Sequence, residues 1–278
     1  MRLAKVEALS VGRSFAEFCS AGGSASVHSV FEKAVNLHTD EGLLTIASKE
    51  IGKSSSSLTI SNVNELNLSI NESCSCLPGC VYFHHTEIDF SHTPVWLGHI
   101  NRSYKKRFLR ENLCIFKALL DRRAAGGSAW HAMREGRQSD SRLCGIKCLP
   151  YNTEDAVRRL IGFGPGLTPS GDDLILGFTA AANHFTEDNG FLSRLHGAIT
   201  SALGATTDLS AQFLRNAMQC EYHEYIEDML IALCDIPETV IPAAAKLINI
   251  GATSGSDIAA GMYIFFRNEV IDCRELYW

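Results

Sequence analysis

The fold of the C-terminal half is decided by two stretches of the same design, Ser-Gly-Asp-Asp-Leu-Ile-Leu-Gly at residues 170–177 and Ser-Gly-Ser-Asp-Ile-Ala-Ala-Gly at residues 254–261. Each stretch opens an uncharged, mostly apolar run, over residues 174–182 in the first copy and 258–266 in the second. A helix that is apolar on every side is buried in the protein interior. The repeat therefore predicts two equivalent buried helices, each beginning at its serine.

Capping and glycine positions refine this prediction. Ser170 is expected to be an N-cap, because its hydroxyl can accept from the backbone N–H of Asp172 or Asp173. Asp173 then occupies the position at which a carboxylate completes a capping box. Gly177 and Gly261 each follow their serine by seven residues. Because glycine inside a helix costs about 1 kcal/mol relative to alanine, this shared offset predicts a close backbone approach, such as that of the two helices to each other.

A glycine-containing segment precedes each stretch, with Gly162, Gly164 and Gly166 before the first and Gly251 before the second. Glycines let a loop wrap closely around an anion, and a helix start offers free N–H groups and partial positive charge. We therefore predict that the two helix starts converge on one pocket for a small anion such as phosphate or a carboxylate. The simpler interpretation is a pair of capped helices left by an old duplication, without a ligand.

Three carboxylates, those of Asp172, Asp173 and Asp257, lie in the first turns of these helices. Beside an anion they require a cation or a proton, so they would hold Mg²⁺, orient an amide or ammonium group, or act as a base. Thr168 and Thr253, just ahead of the two serines, would add hydroxyl contacts. No Gly-Lys-Ser/Thr follows the glycines of the first motif, so ATP hydrolysis is not supported.

Composition limits the function classes. The chain has 278 residues, 46% hydrophobic and 20% charged, enough for one large or two medium domains with a sizeable core. The formal net charge is −6 without blocks of like charge, which argues against nucleic-acid or membrane-surface partners. Neither a transmembrane run nor a signal peptide is recognised. We therefore expect a cytosolic protein whose ten cysteines are reduced.

The coarse pattern along the chain is strands first and helices later, which indicates an α+β fold. Residues 1–100 are predicted to form a β-rich domain and residues 101–278 a helical domain. Residues 30–37 are compatible with a short helix, and residues 124–150 with a long loop in which His131 and Arg134 could close over an anion. The predicted strands lie at residues 43–47, 58–60, 66–70, 81–83 and 95–97.

The string Gly-Pro-Gly-Leu-Thr-Pro-Ser-Gly-Asp-Asp at residues 164–173, followed by Gly177, resembles the signature of the AllH family. The second motif, Gly-Ala-Thr-Ser-Gly-Ser-Asp at residues 251–257, is similar to the family's Gly-His-Thr-Ser-Gly-x-Asp. Ala252 replaces the histidine, so no role of that histidine carries over. The resemblance spans about residues 28–266. Thr207 and Ser210 resemble the middle segment of the family. Near the N-terminus the match is less specific and covers residues 31–37, including Asn36, with Gly42 and Leu43.

The resemblance implies a subunit of oxamate carbamoyltransferase, which phosphorolyses oxalurate to oxamate and carbamoyl phosphate in anaerobic allantoin and purine breakdown. It also implies FdrA-like and AllG-like partner subunits and a small anionic substrate. Asp172, Asp173 and Asp257 are the candidate catalytic residues, and Mg²⁺ is a possible cofactor. The candidate substrate-binding residues are Asn36, Gly164, Gly166, Thr168, Ser170, Gly171, Thr207, Ser210, Thr253, Ser254 and Gly255.

Two alternatives remain open at this stage. The chain could be a non-catalytic binding or assembly subunit whose partners carry the chemistry, or a stand-alone metal-dependent hydrolase.

Overall fold

The computed structural model describes residues 3–98, 106–135, 146, 149 and 152–270. The chain divides into two compact units: an N-terminal unit of Met1–His99 with Glu221–Glu224, and a C-terminal unit of Ile100–Cys220 with Tyr225–Trp278. All described strands belong to the first unit, and all but one of the described α-helices begin and end within the second or at its edge. The predicted α+β fold is therefore confirmed.

The N-terminal unit is one sheet that closes on itself, with the strand order β5-β4-β3-β2-β6-β7-β8-β1 and a further antiparallel pairing of β1 with β5. The short strand β9 pairs in parallel with β1. One helix, α1 (Arg13–Ser20), follows β1 and buries Phe15, Phe18 and Cys19 in the apolar core. The strands are β1 Ala4–Gly12, β2 Ser24–Val30, β3 Ala34–Thr39, β4 Gly42–Ser48, β5 Ser57–Ile60, β6 Ser73–Leu77, β7 Cys80–Tyr82, β8 Thr86–Asp89 and β9 Val95–Trp96.

Two of the sequence-based assignments in this unit are wrong. Residues 30–37 are not a helix, because Ala34–Thr39 forms β3, which pairs with β2 on one side and β4 on the other. Residues 66–70 are not a strand. Val63–Leu66 forms a 3-10 helix, and Asn67 adopts a left-handed conformation with φ 51°, which breaks an extended run. The strands β1, β2, β3, β6 and β8 and the helix α1 were not predicted.

The C-terminal unit is helical. Residues 124–150, predicted as a loop, contain the helix α3, while most of residues 136–151 lie outside the described residues. None of the described helices combines the length and continuous apolar character needed to cross a bilayer. The helices are α2 Leu109–Arg123, α3 Ala129–Arg134, α4 Thr153–Leu160, α5 Ser170–Phe185, α6 Asn189–Ala202, α7 Asp208–Met218, α8 Glu224–Ala232, α9 Val240–Ile248 and α10 Ser254–Val270.

Helices α5 and α10 form the centre of this unit, as the repeat predicts. Every residue of α5 except His184 is buried. A Cβ added to Gly177 would collide with the carbonyl oxygen of Ile258, and one added to Gly261 with that of Leu174. The two glycines therefore occupy equivalent positions in a contact of backbone on backbone, and the expected close approach of the helices is confirmed.

The same equivalence holds at the helix starts. A Cβ at Gly171 would collide with the carbonyl oxygen of Leu160 at the end of α4, and a Cβ at Gly255 with that of Leu247 in α9. Each motif thus contributes two glycines, one packed on the preceding helix and one packed on the partner helix. Only a residue without a side chain permits both contacts.

Capping by Ser170 is a wrong prediction. Helix α5 does begin at Ser170, but its N-cap is Pro169, and no side chain caps the helix. The N–H groups of Asp172 and Asp173 donate to the carbonyl oxygen of Pro169, at 2.9 and 3.1 Å. Because the backbone satisfies these donors, the serine hydroxyl is available for contacts with the other helix.

We expect Gly177→Ala and Gly261→Ala each to lower the free energy of unfolding by at least about 1 kcal/mol, because the added methyl group forces the two backbones apart. Gly197 in α6 is the matched control, because a Cβ there meets nothing within 4 Å. Gly197→Ala should instead stabilise by about 0.4–1 kcal/mol. Chemical denaturation of the three variants measures this. Equal effects at the three positions would contradict the close helix contact.

Candidate functional site

The first turns of α5 and α10 lie side by side. The hydroxyl of Thr168, two residues before α5, forms a 2.8 Å hydrogen bond with the hydroxyl of Ser254, the first residue of α10. Both residues are half-buried. Towards the C-terminal ends of the two helices, the ring centroids of Phe185 and Phe266 lie 4.7 Å apart. The helices are therefore parallel, with their starts at the same end. The two sequence motifs therefore form one cluster.

Two carboxyl groups of this cluster are deeply buried and cross over between the helices. Asp173 on α5 is 3% exposed and interacts with the hydroxyls of Ser254 and Thr168. Asp257 on α10 is 0% exposed and interacts with the hydroxyls of Ser170 and Thr253. Each aspartate thus faces the serine that begins the other helix. The arrangement is nearly symmetric, as the repeated sequence is.

Burial dominates the electrostatics of both groups, because a charged carboxylate loses its hydration there. Burial raises the pKa of Asp173 well above its ordinary value, the charges of Asp257 and Asp172 raise it further, and the Ser254 and Thr168 hydroxyls oppose the rise. Burial likewise raises the pKa of Asp257 to about 6, against the lowering effects of Ser170, the Ala129 N–H and Thr253. No lysine or arginine among the described residues figures in the causes of either shift.

Each of these carboxyl groups has one oxygen without a hydrogen-bond partner. Oδ1 of Asp257 accepts from the N–H of Ala129 at 2.6 Å, whereas Oδ2 is buried without a partner. Oδ2 of Asp173 is also buried without a partner. An unsatisfied buried carboxylate oxygen is costly, and in this cluster it occurs at both equivalent positions. The arrangement can accept hydrogen bonds from a ligand, bind a cation or hold a proton.

The third acid, Asp172, is engaged differently. Oδ1 accepts from the N–H of Gly162 at 2.8 Å, and Oδ2 accepts from the hydroxyl of Thr206. Burial raises the pKa of Asp172, and the hydroxyls of Thr206 and Ser210 and the Gly162 N–H oppose the rise. Both of its oxygens therefore hold the glycine-rich loop and the segment before α7 in place.

Thr207 and Ser210 hold the same loop from the start of α7. Thr207 is the N-cap of α7 and accepts from the N–H of Ser210 at 3.1 Å. Its hydroxyl also donates to the carbonyl oxygen of Leu167 at 2.5 Å, and the Ser210 hydroxyl reaches the same oxygen at 3.5 Å. Leu167 itself is 41% exposed. The loop before α5 is thus fixed at its backbone while its tip faces solvent.

The backbone N–H groups at the helix starts are largely used within the protein. Gly171 donates to the carbonyl oxygen of Phe163 at 2.8 Å, and Gly255 to that of Ile250 at 3.0 Å. Contacts to a ligand would therefore come chiefly from the serine and threonine hydroxyls. Gly164 and Gly166 have φ values of 117° and 96°, which favour glycine, and open space surrounds the Cβ direction at Gly166.

Asn36, unlike the other candidates, lies in the N-terminal unit. It is buried on β3, where its amide donates to the Ser29 hydroxyl at 3.1 Å and accepts from the Thr45 hydroxyl at 2.9 Å.

His131 and Arg134, predicted to lie in a loop that could close over an anion, belong to helix α3. Arg134 donates to the carbonyl oxygen of Asp121 at 2.6 Å, and Nδ1 of His131 lies 3.4 Å from a carboxylate oxygen of Glu135. These two side chains are thus occupied on the surface of α3.

Sequence reasoning missed the contribution of Ser256 and of the segment that precedes α3. The Ser256 hydroxyl accepts from the N–H of Ala125 at 2.9 Å, next to the bond from Ala129 to Asp257. Ser256 stands at the position in the second motif that Asp172 has in the first, and both side chains hold a preceding loop. Aligning the two copies residue by residue would have identified this role.

Two family models match the chain. The model described as oxamate carbamoyltransferase subunit AllH matches residues 160–266, which contain both motifs and all the residues of the cluster on α5 and α10. The model described as AllH family N-terminal domain matches residues 7–95, which cover the closed sheet. The resemblance seen in the motifs is therefore confirmed over most of the chain. No solved structure matches.

The buried carboxyl of Asp257 should make stability depend on pH. Its folded-state pKa of about 6 exceeds the unfolded value of about 3.9, so the native state binds more protons between these pH values. The stability that Asp257 contributes is thus present below pH 4 and lost as the pH rises to 6. Relative to Asp257→Asn, wild type should lose on the order of 3 kcal/mol of unfolding free energy over this window.

Urea denaturation of both proteins at several pH values, in buffer free of divalent cations, measures this difference. If the unfolding free energy of wild type instead rises relative to that of the variant between pH 4 and 6, the pKa of Asp257 is not raised by folding, and the prediction is wrong.

Proposed function

This chain belongs to the AllH family, and on that premise we propose that it is a subunit of a cytosolic carbamoyltransferase of the oxamate carbamoyltransferase type. The proposed reaction is the phosphorolysis of oxalurate to oxamate and carbamoyl phosphate, in allantoin and purine breakdown. Because the family is described as a subunit, we propose that the active enzyme also contains FdrA-like and AllG-like subunits.

The observation that carries the proposal is the hydroxyl contact between Thr168 and Ser254, which joins the two motifs next to the buried carboxyl group of Asp173. Phosphate, carbamoyl phosphate, oxalurate and oxamate are small anions with several oxygens. The hydroxyls of Thr168, Ser170, Thr253 and Ser254 are the donors for these oxygens. Two helix starts at the same place add partial positive charge that favours an anion.

The buried carboxyl groups supply the proton chemistry of the proposal. In phosphorolysis a phosphate oxygen attacks the carbamoyl carbon, the bond from that carbon to the oxamate nitrogen breaks, and this nitrogen needs a proton. A carboxyl group with a raised pKa holds such a proton near neutral pH. We assign this role to Asp173, whose pKa is raised the more strongly, and to Asp257 the acceptance of a hydrogen bond from the carbamoyl NH₂.

The remaining candidates position the site in this proposal. Asp172 holds the Gly162 end of the loop, and Thr207 and Ser210 hold the Leu167 carbonyl. Gly164 and Gly166 give the loop the backbone conformation that brings Thr168 to Ser254. We assign no ligand contact to the N–H groups of Gly171 and Gly255, which have partners within the protein.

Reconstitution tests the proposal. The purified chain is assayed for phosphate-dependent conversion of oxalurate, alone and with FdrA-like and AllG-like subunits. Asp173→Asn should lower kcat by about 10²- to 10⁴-fold, the usual contribution of a general acid, while the complex still assembles. Asp208→Asn is the matched control, because Asp208 is also in the first turn of a helix but is exposed. The Asp208→Asn enzyme should have the same kcat as wild type.

An enzyme that keeps its full kcat with Asp173→Asn would rule out a catalytic role for the cluster. Assembly with unchanged turnover would then assign this chain a binding or assembly role in the complex.

A further inference from the structure

Residues 125–129, the segment between α2 and α3, lie against the start of α10 and are held there by two hydrogen bonds. The N–H of Ala125 donates to the hydroxyl of Ser256 at 2.9 Å. The N–H of Ala129 donates to Oδ1 of Asp257 at 2.6 Å. Both acceptor side chains are 0% exposed. Two consecutive residues of α10 therefore hold both ends of one segment.

The segment has a fixed shape and is anchored beyond these two bonds. The N–H of Ser128 donates to the carbonyl oxygen of Ala125 at 3.1 Å, which closes a turn. Gly127 has φ 90° within this turn, a conformation that favours glycine. Trp130, which follows the segment, is 1% exposed, and its ring centroid lies 5.4 Å from that of Tyr263 further along α10. The N–H at the start of α3 is therefore held in one place relative to α10.

The bond from Ala129 makes the two buried carboxyl groups of the site unequal. Asp173 contacts the hydroxyls of Ser254 and Thr168, and a hydroxyl can donate to a carboxylate or accept from a protonated carboxyl group. Asp257 also contacts hydroxyls, but in addition it accepts from a backbone N–H, which can only donate. Burial raises the pKa of Asp257 to about 6, and the Ala129 N–H is among the groups that oppose this rise.

We propose that Ser256 is a positioning residue, which holds residues 125–129 against α10 and thereby fixes the Asp257 carboxyl group as a hydrogen-bond acceptor. Oδ1 of Asp257 is engaged by Ala129, and Oδ2 has no hydrogen-bond partner among the described residues. Oδ2 is therefore the oxygen that receives the carbamoyl NH₂, while Asp173 keeps the proton. The identity of this ligand rests on the proposed function, whereas the two hydrogen bonds do not.

Amide NMR spectroscopy of the full chain tests the positioning without any turnover. In wild type the Ala129 N–H signal should lie at low field, because its hydrogen bond to a carboxylate is short. Ser256→Ala should move this signal upfield and speed its exchange with deuterium about tenfold, the effect of one lost hydrogen bond. Ser201→Ala is the matched control, because the exposed Ser201 hydroxyl bonds only to the Gly197 carbonyl of its own helix in the described structure, at 2.8 Å.

Ser256→Cys is the second variant, because a thiol is a weak acceptor, and the same changes are expected in it. Thermal unfolding establishes which of the variants is folded. An Ala129 signal with the wild-type position and exchange rate in a folded Ser256 variant would overturn the proposal. Equal changes in Ser201→Ala would overturn it as well.

Kinetics of the reconstituted enzyme separate positioning from a merely structural role. Ser256→Ala should raise KM for oxalurate about five- to tenfold, the effect of one hydrogen bond, and leave KM for phosphate unchanged. The kcat should stay the same, because Asp257 would hold the carbamoyl NH₂ equally in the ground state and the transition state. In an Asp257→Asn background, Ser256→Ala should raise KM no further, since residues that act through one another are not additive.

Additive effects of the two substitutions, or an equal rise of both KM values, would contradict a role of Ser256 through Asp257. If the wild-type complex does not turn over oxalurate, the proposed function fails, and the Ala129 signal still decides whether Ser256 positions Asp257.

Discussion

The contact of backbone on backbone between α5 and α10 is the constraint on which the rest of the C-terminal unit depends. Gly177 lies against the carbonyl of Ile258 and Gly261 against that of Leu174, so the helices approach more closely than any side chain would allow. This proximity excludes solvent from the facing sides of the two helices. Their other sides are covered by neighbouring helices, α4, α6 and α7 around α5 and α2, α3 and α9 around α10, so both helices are apolar on all sides over residues 174–182 and 258–266. It also brings their first turns together, and the candidate site exists only because those turns meet.

Bringing two helix starts together has an electrostatic consequence. Each start carries a partial positive charge, so side-by-side starts repel each other unless negative groups lie between them. Acidic side chains at these turns reduce that repulsion and explain part of the acidity of the motif. They do not explain its depth of burial. Asp172 satisfies both oxygens within the protein, whereas Asp173 and Asp257 each keep one buried oxygen without a hydrogen-bond partner.

The duplication is visible in contacts as well as in sequence. In both copies the serine faces the aspartate of the other helix, the following glycine packs on the preceding helix, and the next polar residue, Asp172 or Ser256, holds a loop N–H. The exceptions are informative. The first copy has a glycine-rich loop fastened by Thr207 and Ser210, and the second is approached by the segment before α3. The cluster is thus nearly symmetric in its carboxyl groups and asymmetric in the loops around it.

The sequence by itself determined the two buried helices, their serine starts, the close approach through Gly177 and Gly261, the order of strands before helices and the family. These features depend on local composition and on spacing, which one chain displays directly. Other features depended on partners distant in sequence. The closure of the sheet requires β1 to pair with β5, and β3 is extended at residues where a helix was expected because two neighbouring strands hold it. Ser170 could be judged a cap from its neighbours alone, but its hydroxyl faces Asp257, and only the tertiary structure decides that, since the contact joins residues 87 positions apart.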